Sequence, residues 1–221
     1  MALEVFWGSG SGPAWRVLLA LAIKGVPYES RLLSFSKAEH KTPELLAISQ
    51  RGKVPIIRDG DFGLSESLAI LTYLERKHPT PPLFGTTPED AGHILRVIMD
   101  HQCYGSPTIL AITPALLTGK HEEQREKITE ALPLVRDELA RLTKQLGDHA
   151  FLVGDAISAA DIFVFPLIKT LERAVAKPGA DTFDHGLRPL GGAYPALAAW
   201  VARIEALPGY DATFPPHWRE G

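Results

Sequence analysis

The sequence has a single cysteine, Cys103, among its 221 residues. One cysteine excludes an internal disulfide, and no His/Cys pattern has the spacing of a zinc site, so the sequence predicts neither a disulfide scaffold nor a bound metal. The N-terminus also lacks a basic and apolar leader, and no run of about 18 apolar residues occurs. We therefore expect a protein of a reducing compartment, the cytoplasm, with no segment in a membrane.

The charge balance shows no excess of one sign that would attract a polyanion. The 23 Lys and Arg residues are nearly matched by 26 Asp and Glu residues, which gives a net charge of −3. Nucleic-acid binding needs clustered positive charge, so no nucleic-acid partner is expected. The glycine patterns that hold phosphates, G-x-x-x-x-G-K-[ST] and G-x-G-x-x-G, are missing too. These absences favour a small molecule or another protein as the partner.

The N-terminal part of the chain alternates strand-like and helix-like segments. Val17, Leu18 and Leu21 recur at steps of three and four, which predicts one buried face of a helix. Pro13 suits the first turn of this helix, and Gly25 suits its end. The predicted elements are a strand over 3–7, a helix over 13–25, a strand over 28–33, a short helix over 43–48, two strands about the turn 59–60, and a helix over 65–78. This order is β-α-β followed by β-β-α.

Helical signals dominate the rest of the chain. A proline-rich linker over 80–88 is expected to separate a domain over 1–79 from an all-helical domain over 89–221, so the fold class is α/β plus all-α. Apolar residues spaced 4, 3, 4, 3 and 4 from Ile128 to Leu146 predict a long amphipathic helix. Ser158 and Asp161 form a capping box before an apolar helix. Further helices are expected over 89–117, as one or a pair, and over 194–207.

Three polar turns could carry chemistry. Ser9 and Ser11 lie between the first strand and the first helix, beside backbone N–H groups that have no helical acceptor. Val54 precedes Pro55, and a cis bond there would turn the Val54 backbone outward. The segment Ser65–Ser67 opens the next helix. Each turn also has a purely structural interpretation, as a flexible turn, the start of a strand, or an N-cap.

Two longer motifs include these turns. They read EHKTPELLAISQRGKVPIIRDGDFGLSESLAILTYLERKHP and, later, GDAISAADIFVFP. With the serine-bearing turn, they resemble the cytosolic glutathione transferase family over nearly the whole chain, least over Lys177–Gly192. The resemblance implies a thioredoxin-like N-terminal domain and a C-terminal helical bundle. It also implies glutathione as co-substrate without a metal, and a cytoplasmic homodimer that detoxifies small electrophiles.

The same resemblance assigns the residues that bind glutathione. Val54 matches the residue that pairs backbone to backbone with the cysteinyl part. Glu66 and Ser67 match the pair that holds the γ-glutamyl end, where the hydroxyl and the helix N–H groups receive the carboxylate. In theta-like relatives, the positions that reach the glycine carboxylate correspond to His40, Lys41 and Lys53. For His40 and Lys41, an exposed loop turn is an equal alternative.

The group that activates the thiol is expected in the first turn. The resemblance offers a Tyr, Ser or Cys for this task, but Phe6 and Trp7 occupy the place of the tyrosine and no cysteine lies nearby. Ser11, in Ser-Gly-Pro, resembles the Ser-x-Pro placement of theta-like enzymes, whereas Ala14 replaces the serine of zeta-like SWRV. Ser11 is therefore the first candidate, and Ser9 is the second.

The helical domain is expected to bind the electrophile. Asp100, His101 and Tyr104 fall in the helix that would face the thiolate, beside Cys103, although each could be a packing residue instead. Trp218 could cap the pocket or anchor the end of the chain. A glutathione-dependent isomerase, dehalogenase or peroxidase would need the same thiolate. A non-catalytic binding protein of the same fold is the alternative from another class.

Overall fold

The computed structural model describes residues 2–219. It divides into two units: the first runs as far as Leu83 and resumes at Glu205, and the second is Phe84–Ile204. The division therefore falls inside the expected linker over 80–88. Three residues of the expected domains lie outside the described part of the chain: Met1, Glu220 and Gly221.

A four-stranded sheet forms the centre of the first unit. Its strands are β1 (Glu4–Trp7), β2 (Glu29–Leu32), β3 (Ile56–Asp59) and β4 (Phe62–Ser65), in the spatial order β2-β1-β3-β4. β1 pairs in parallel with β2 and antiparallel with β3, and β3 pairs antiparallel with β4. Successive strand residues point to opposite faces, so the complete burial of Ile56 and Ile57 shows that both faces are covered here.

The helices of this unit follow the predicted order. They are α1 (Gly12–Lys24), α2 (Pro43–Ile48) and α3 (Ser67–Lys77), with a 3₁₀ turn over Glu39–Lys41. α1 packs against α3. It ends at Gly25, whose φ of +62° is the left-handed conformation that glycine adopts without a steric cost. The β-α-β and β-β-α order confirms the predicted thioredoxin-like unit.

The second unit is helical, as predicted. Its helices are α4 (Pro88–Asp100), α5 (Ser106–Leu110), α6 (Thr113–Leu117), α7 (Arg125–Leu146), α8 (Ala159–Val175), α9 (Leu190–Ala193) and α10 (Pro195–Glu205). A π-helical turn, His101–Gly105, joins α4 to α5. The stretch expected as one or two helices over 89–117 is broken further, because Pro107 and Pro114 lack the N–H that would continue the helical hydrogen bonds.

The start of α8 confirms the predicted capping box. Asp161 is fully buried, and its Oδ2 accepts from the N–H of Ser158 at 2.9 Å and from the Ser158 hydroxyl at 2.9 Å. Its Oδ1 accepts from the N–H of Leu152 at 2.8 Å and from the indole N–H of Trp200 at 2.9 Å. Burial raises the pKa of Asp161, and these hydrogen bonds oppose that rise. The carboxyl group therefore ties α8 to a preceding loop and to α10.

The end of the chain belongs to the first unit, not to the helical domain where the sequence placed it. It forms α11 (Tyr210–Thr213) and a 3₁₀ turn, Pro216–Trp218. Trp15 is 2% exposed and makes edge contacts with the rings of Phe214 and Trp218, at centroid distances of 5.7 and 5.4 Å. Its indole N–H donates to Thr213 Oγ1 at 2.9 Å. Aromatic packing on α1, which leaves no periodic signal, decides where this segment lies.

No helix within residues 2–219 is both long enough and apolar enough to cross a bilayer.

Candidate functional site

The turn between β1 and α1 holds both candidate serines. Ser11 is the N-cap of α1, and its Oγ accepts a hydrogen bond from the Ala14 N–H at 3.3 Å. The Ser11 N–H donates to the Gly8 carbonyl at 3.1 Å, which closes the turn. Because Ser11 Oγ acts as an acceptor in the cap, its own hydrogen can still be donated to a ligand. The half-buried side chain suits this purpose.

Ser9 has a different partner. Its Oγ lies 2.6 Å from Nδ1 of His217, an exposed residue of the last 3₁₀ turn. Gly10, between the two serines, has φ +82°, and a Cβ at this position would lie only 2.7 Å from Cε1 of His217. Glycine is therefore needed here both for the backbone conformation and for the close approach of the imidazole.

The Val54 backbone is open to a ligand. Val54 precedes a cis Pro55, and its residue surface is 9% exposed. Within residues 2–219, neither its N–H nor its C=O has a hydrogen-bond partner. Unpaired backbone groups beside a strand are suited to pair with an extended peptide.

The start of α3 combines three features that attract a carboxylate. Glu66 is exposed, with φ +72°, a conformation that non-glycine residues rarely adopt and that is typical of functional sites. Ser67 is 7% exposed, and its Oγ accepts from Nη1 of Arg16 at 3.3 Å. Burial lowers the pKa of Arg16 to about 9, so its guanidinium is still charged at neutral pH. A hydroxyl, a cation and the helix N–H groups therefore meet here.

The three residues expected at the glycine carboxylate lie around Gly52. A Cβ on Gly52 would lie 3.3 Å from Cγ of Lys41 and 3.9 Å from the His40 carbonyl oxygen. Lys53 follows, and its backbone is fixed by two hydrogen bonds, 3.1 and 3.0 Å long, with the hydroxyl of Ser49. In the described part of the chain, neither lysine forms an ion pair, and Nδ1 of His40 has no partner. The two exposed lysines can therefore receive an anion, whereas Nδ1 of His40 is buried.

The three residues expected in the electrophile pocket differ in exposure. Asp100 and Tyr104 are exposed and line a cavity of about 420 Å³. His101 is 1% exposed, and its ring packs edge-on against Phe163 at a centroid distance of 6.3 Å. His101 also borders a second cavity of about 190 Å³, together with Asp100 and Glu138, so its contact with a substrate stays a prediction.

Glu138, a residue that the sequence did not single out, lines the same cavity. It is 6% exposed, and burial raises the pKa of its carboxyl group, with a further rise from the nearby Asp100. Gly105 makes room for it, because a Cβ there would lie within 2.4 Å of Glu138 Oε1. The cavity therefore has an acidic wall.

Two residues of the first unit were also missed. Arg16 carried a signal, since it is a charged residue within the apolar α1 pattern. His217 carried none, because it meets Ser9 from 208 positions away. Trp218, expected either to cap the pocket or to anchor the chain end, packs on Trp15 as an anchor.

Comparisons with known proteins agree with this arrangement. A model of the glutathione S-transferase N-terminal domain matches residues 9–82, and a model of the C-terminal domain matches residues 98–208. Human glutathione S-transferase theta-2 is 32% identical over 227 residues, covering 96% of this chain and 84% of its own length. The chain belongs to the glutathione S-transferase family. It is accordingly a glutathione transferase that uses glutathione as co-substrate.

Solved structures of glutathione transferases have the same fold. One from the Antarctic clam Laternula elliptica has a TM-score of 0.82 at 29% identity, over 100% of this chain and 95% of its own. A glutathione S-transferase I bound with lactoylglutathione has a TM-score of 0.79 at 26% identity, over 96% of this chain and 98% of its own.

Proposed function

We propose that this transferase is of the serine type and that Ser11 donates the hydrogen bond that holds the glutathione sulfur as a thiolate. The observation that carries the proposal is the geometry of Ser11: its oxygen is occupied as the α1 cap, at 3.3 Å from the Ala14 N–H, while its hydrogen is available. Family membership identifies glutathione as the co-substrate. The turn between β1 and α1 holds the Ser11 hydroxyl that donates the hydrogen bond.

The free energy required is within reach of this turn. A thiol with a pKa near 8.5 needs roughly 2.7 kcal/mol of preferential stabilisation of the thiolate to bring its pKa down by about two units. A hydroxyl donor to a charged group contributes about 1.5 to 3 kcal/mol, and a helix N-terminus about 0.3 to 1 kcal/mol. The two together suffice, so the proposed mechanism uses no metal. In the described part of the chain, no group of three or more His, Cys, Asp or Glu side chains could hold one.

The remaining glutathione contacts follow from the site. The γ-glutamyl carboxylate is received by Ser67, with Arg16 behind it, and the ammonium by Glu66. The Val54 backbone pairs with the cysteinyl part, and the glycine carboxylate is received by the cluster around Gly52: His40, Lys41 and Lys53. With the tripeptide held at both ends, the sulfur attacks an electrophilic carbon, a C–S bond forms, and the leaving group departs with the electron pair of its own bond.

The helical unit supplies the second substrate site in this proposal. Asp100 and Tyr104 are its accessible polar groups, and they share the acidic cavity with Glu138. A panel of an aryl halide, an epoxide, a maleyl isomer and a hydroperoxide tests conjugation against the isomerase, dehalogenase and peroxidase alternatives. Family membership also supports a cytoplasmic homodimer. Light scattering of the purified protein tests the dimer.

The decisive experiment titrates the ultraviolet absorbance of the glutathione thiolate bound to the protein. Ser11→Ala is expected to raise the pKa of the bound thiol and to lower kcat/KM by about tenfold to a hundredfold, as the loss of a hydrogen bond to a charged group implies. Thr72→Ala, which removes an exposed hydroxyl bonded within α3, is the matched control and leaves both values unchanged. A Ser11→Ala variant with the parent's thiol pKa would refute the serine assignment.

A further inference from the structure

The Ser9 and His217 pair is placed at the same turn as Ser11 but is arranged differently. The 2.6 Å separation of Ser9 Oγ and His217 Nδ1 is short even for a hydroxyl hydrogen bond. Ser11 takes a backbone hydrogen at its oxygen, whereas Ser9 faces a ring nitrogen that accepts a hydrogen when the ring is neutral and protonated at Nε2. The two hydroxyl groups therefore point to two different tasks.

The imidazole is held in place by the rest of the chain end. Trp218, the next residue, lies against Trp15 in an edge contact, and its own N–H donates to the Pro215 carbonyl at 3.0 Å. Arg219 donates to the Asp211 carboxylate at 2.9 Å, which closes the segment on itself. A single exposed hydrogen bond between neutral groups adds little to stability, so it cannot order a terminal segment by itself. The contact of Trp218 with Trp15 orders the terminal segment and places His217 beside Ser9.

The surroundings of His217 suit a group that takes a proton and passes it on. The ring is exposed, so water can remove a proton from it. A neutral imidazole presents one ring nitrogen as an acceptor and can therefore take a proton there. Gly10 lets the ring approach the turn closely, because any Cβ there would collide with Cε1.

We propose that Ser9 and His217 form a proton relay that removes the thiol proton of bound glutathione, while Ser11 stabilises the thiolate that results. This inference rests on the proposed function. The S–H bond breaks and leaves its electron pair on sulfur, and the proton moves to Ser9 Oγ. At the same time the original Ser9 hydroxyl proton moves to Nδ1 of His217. The imidazolium then returns to its neutral form by releasing a proton to water.

The relay predicts a change in the rate at which bound glutathione ionises. The role of Ser11 predicts a change in the equilibrium pKa of the bound thiol. Rapid mixing with glutathione, followed by thiolate absorbance, is expected to show ionisation slowed at least about tenfold in His217→Ala, because general bases usually contribute more than this. The final amplitude, which reports the equilibrium pKa, stays near that of the parent. Free imidazole restores the rate of His217→Ala. His149→Gln, an exposed histidine of the helical unit, is the control and ionises glutathione at the parent rate.

A double variant tests whether the two residues act as a unit. Ser9→Ala with His217→Ala is expected to be no slower than the slower single variant, since the second loss removes nothing further from a broken relay. An unchanged ionisation rate in His217→Ala, a loss that imidazole does not restore, or losses that multiply in the double variant would each overturn the relay. These outcomes leave the Ser11→Ala titration untouched, so failure of the relay and failure of the serine assignment are distinguished.

Discussion

In the first unit, the polar side chains proposed to bind glutathione lie at helix starts and in loops, whereas the helical unit buries two carboxyl groups, those of Asp161 and Glu138. Ser11 and Ser67 each begin a helix, where backbone N–H groups lack intrahelical acceptors. Asp161 and Glu138 lie inside the helical unit, at 0% and 6% exposure. A ligand can complete the first pair, while the second pair must be satisfied by the protein itself.

This difference separates two kinds of mutational effect. A substitution at a helix start of the first unit removes a ligand contact and leaves most packing intact, so binding should change more than stability. A substitution of an enclosed carboxyl group leaves its partners without an acceptor, so stability should change more than binding. The following variants test that division, beginning with the largest effect.

Asp161→Ala is expected to lower the free energy of unfolding by about 3 kcal/mol or more. The substitution leaves the buried donors of Leu152, Ser158 and Trp200 without their acceptor, and each buried unsatisfied donor costs about 1 to 3 kcal/mol. Urea denaturation followed by circular dichroism measures the change. Asp155→Ala is the matched control, since this exposed carboxylate accepts only from Ala150 N–H and a nearby histidine. Equal losses in both variants would contradict an enclosed role for Asp161.

Ser67→Ala is expected to weaken glutathione binding by about tenfold and, because Arg16 loses only one acceptor, to lower the free energy of unfolding by less than Asp161→Ala does. The variant keeps the helix N–H groups and the Arg16 guanidinium but loses one hydrogen bond to the γ-glutamyl carboxylate, worth about 1.5 kcal/mol. Isothermal titration calorimetry gives the Kd. Thr72→Ala, which lies further along α3 and bonds only to the Leu68 carbonyl, should bind as the parent does. Unchanged affinity in Ser67→Ala would place the carboxylate elsewhere.

Lys53→Ala is expected to raise KM for glutathione only severalfold, and the increase should shrink as salt is added. Its side chain is exposed, so its attraction to the glycine carboxylate is screened and amounts to about 0.2 to 1 kcal/mol. Lys127→Ala removes an exposed lysine of α7 with the same change in net charge. If both variants raise KM equally, the effect comes from overall charge and not from the Gly52 cluster.

Much of the fold follows from local sequence signals. The spacing from Ile128 to Leu146 predicts α7, the Ser158 and Asp161 pair predicts the start of α8, and Gly25 predicts the end of α1. Each of these signals acts within a few residues, which is the range that periodicity and capping describe. The path of the chain end could not be predicted this way, because it is fixed by contacts with Trp15, which is 198 positions from Thr213.

The residues of the candidate site also divide into those that local sequence signals predict and those that they miss. Turn and motif signals located Ser11, Val54 and Ser67, because helix starts and strand ends are visible in the sequence. They could not show that His101 turns inward, since that depends on a π-helical turn with no clear composition signal. They also could not pair Ser9 with His217. The predicted residues are therefore those fixed by their own element, whereas the pairing of Ser9 with His217 depends on contact between elements far apart in the sequence.

Glu138→Gln is the variant with the smallest expected effect. It tests whether the Glu138 carboxyl group is enclosed, by way of the pH dependence of the free energy of unfolding. Burial, aided by Asp100, raises the folded pKa of Glu138 above its ordinary value of 4.5, so the folded state holds this proton more tightly than the unfolded state. The stability gained from protonation is complete below about 4.5 and is lost as pH rises through the folded pKa. Glutamine cannot titrate, so the variant should gain stability relative to the parent as pH rises from about 4.5 towards 7. Denaturation at several pH values measures this gain.

Glu130→Gln supplies the control for that experiment, because Glu130 is exposed on the same helix and no neighbouring side chain encloses it. The free energy of unfolding of the Glu130→Gln variant should follow that of the parent at every pH. Parallel curves for Glu138→Gln and the parent would mean that the carboxyl group is solvated in solution. The acidic wall of the cavity would then be an open surface, and the contrast between a unit that leaves its polar groups for a ligand and a unit that encloses them would be confined to Asp161.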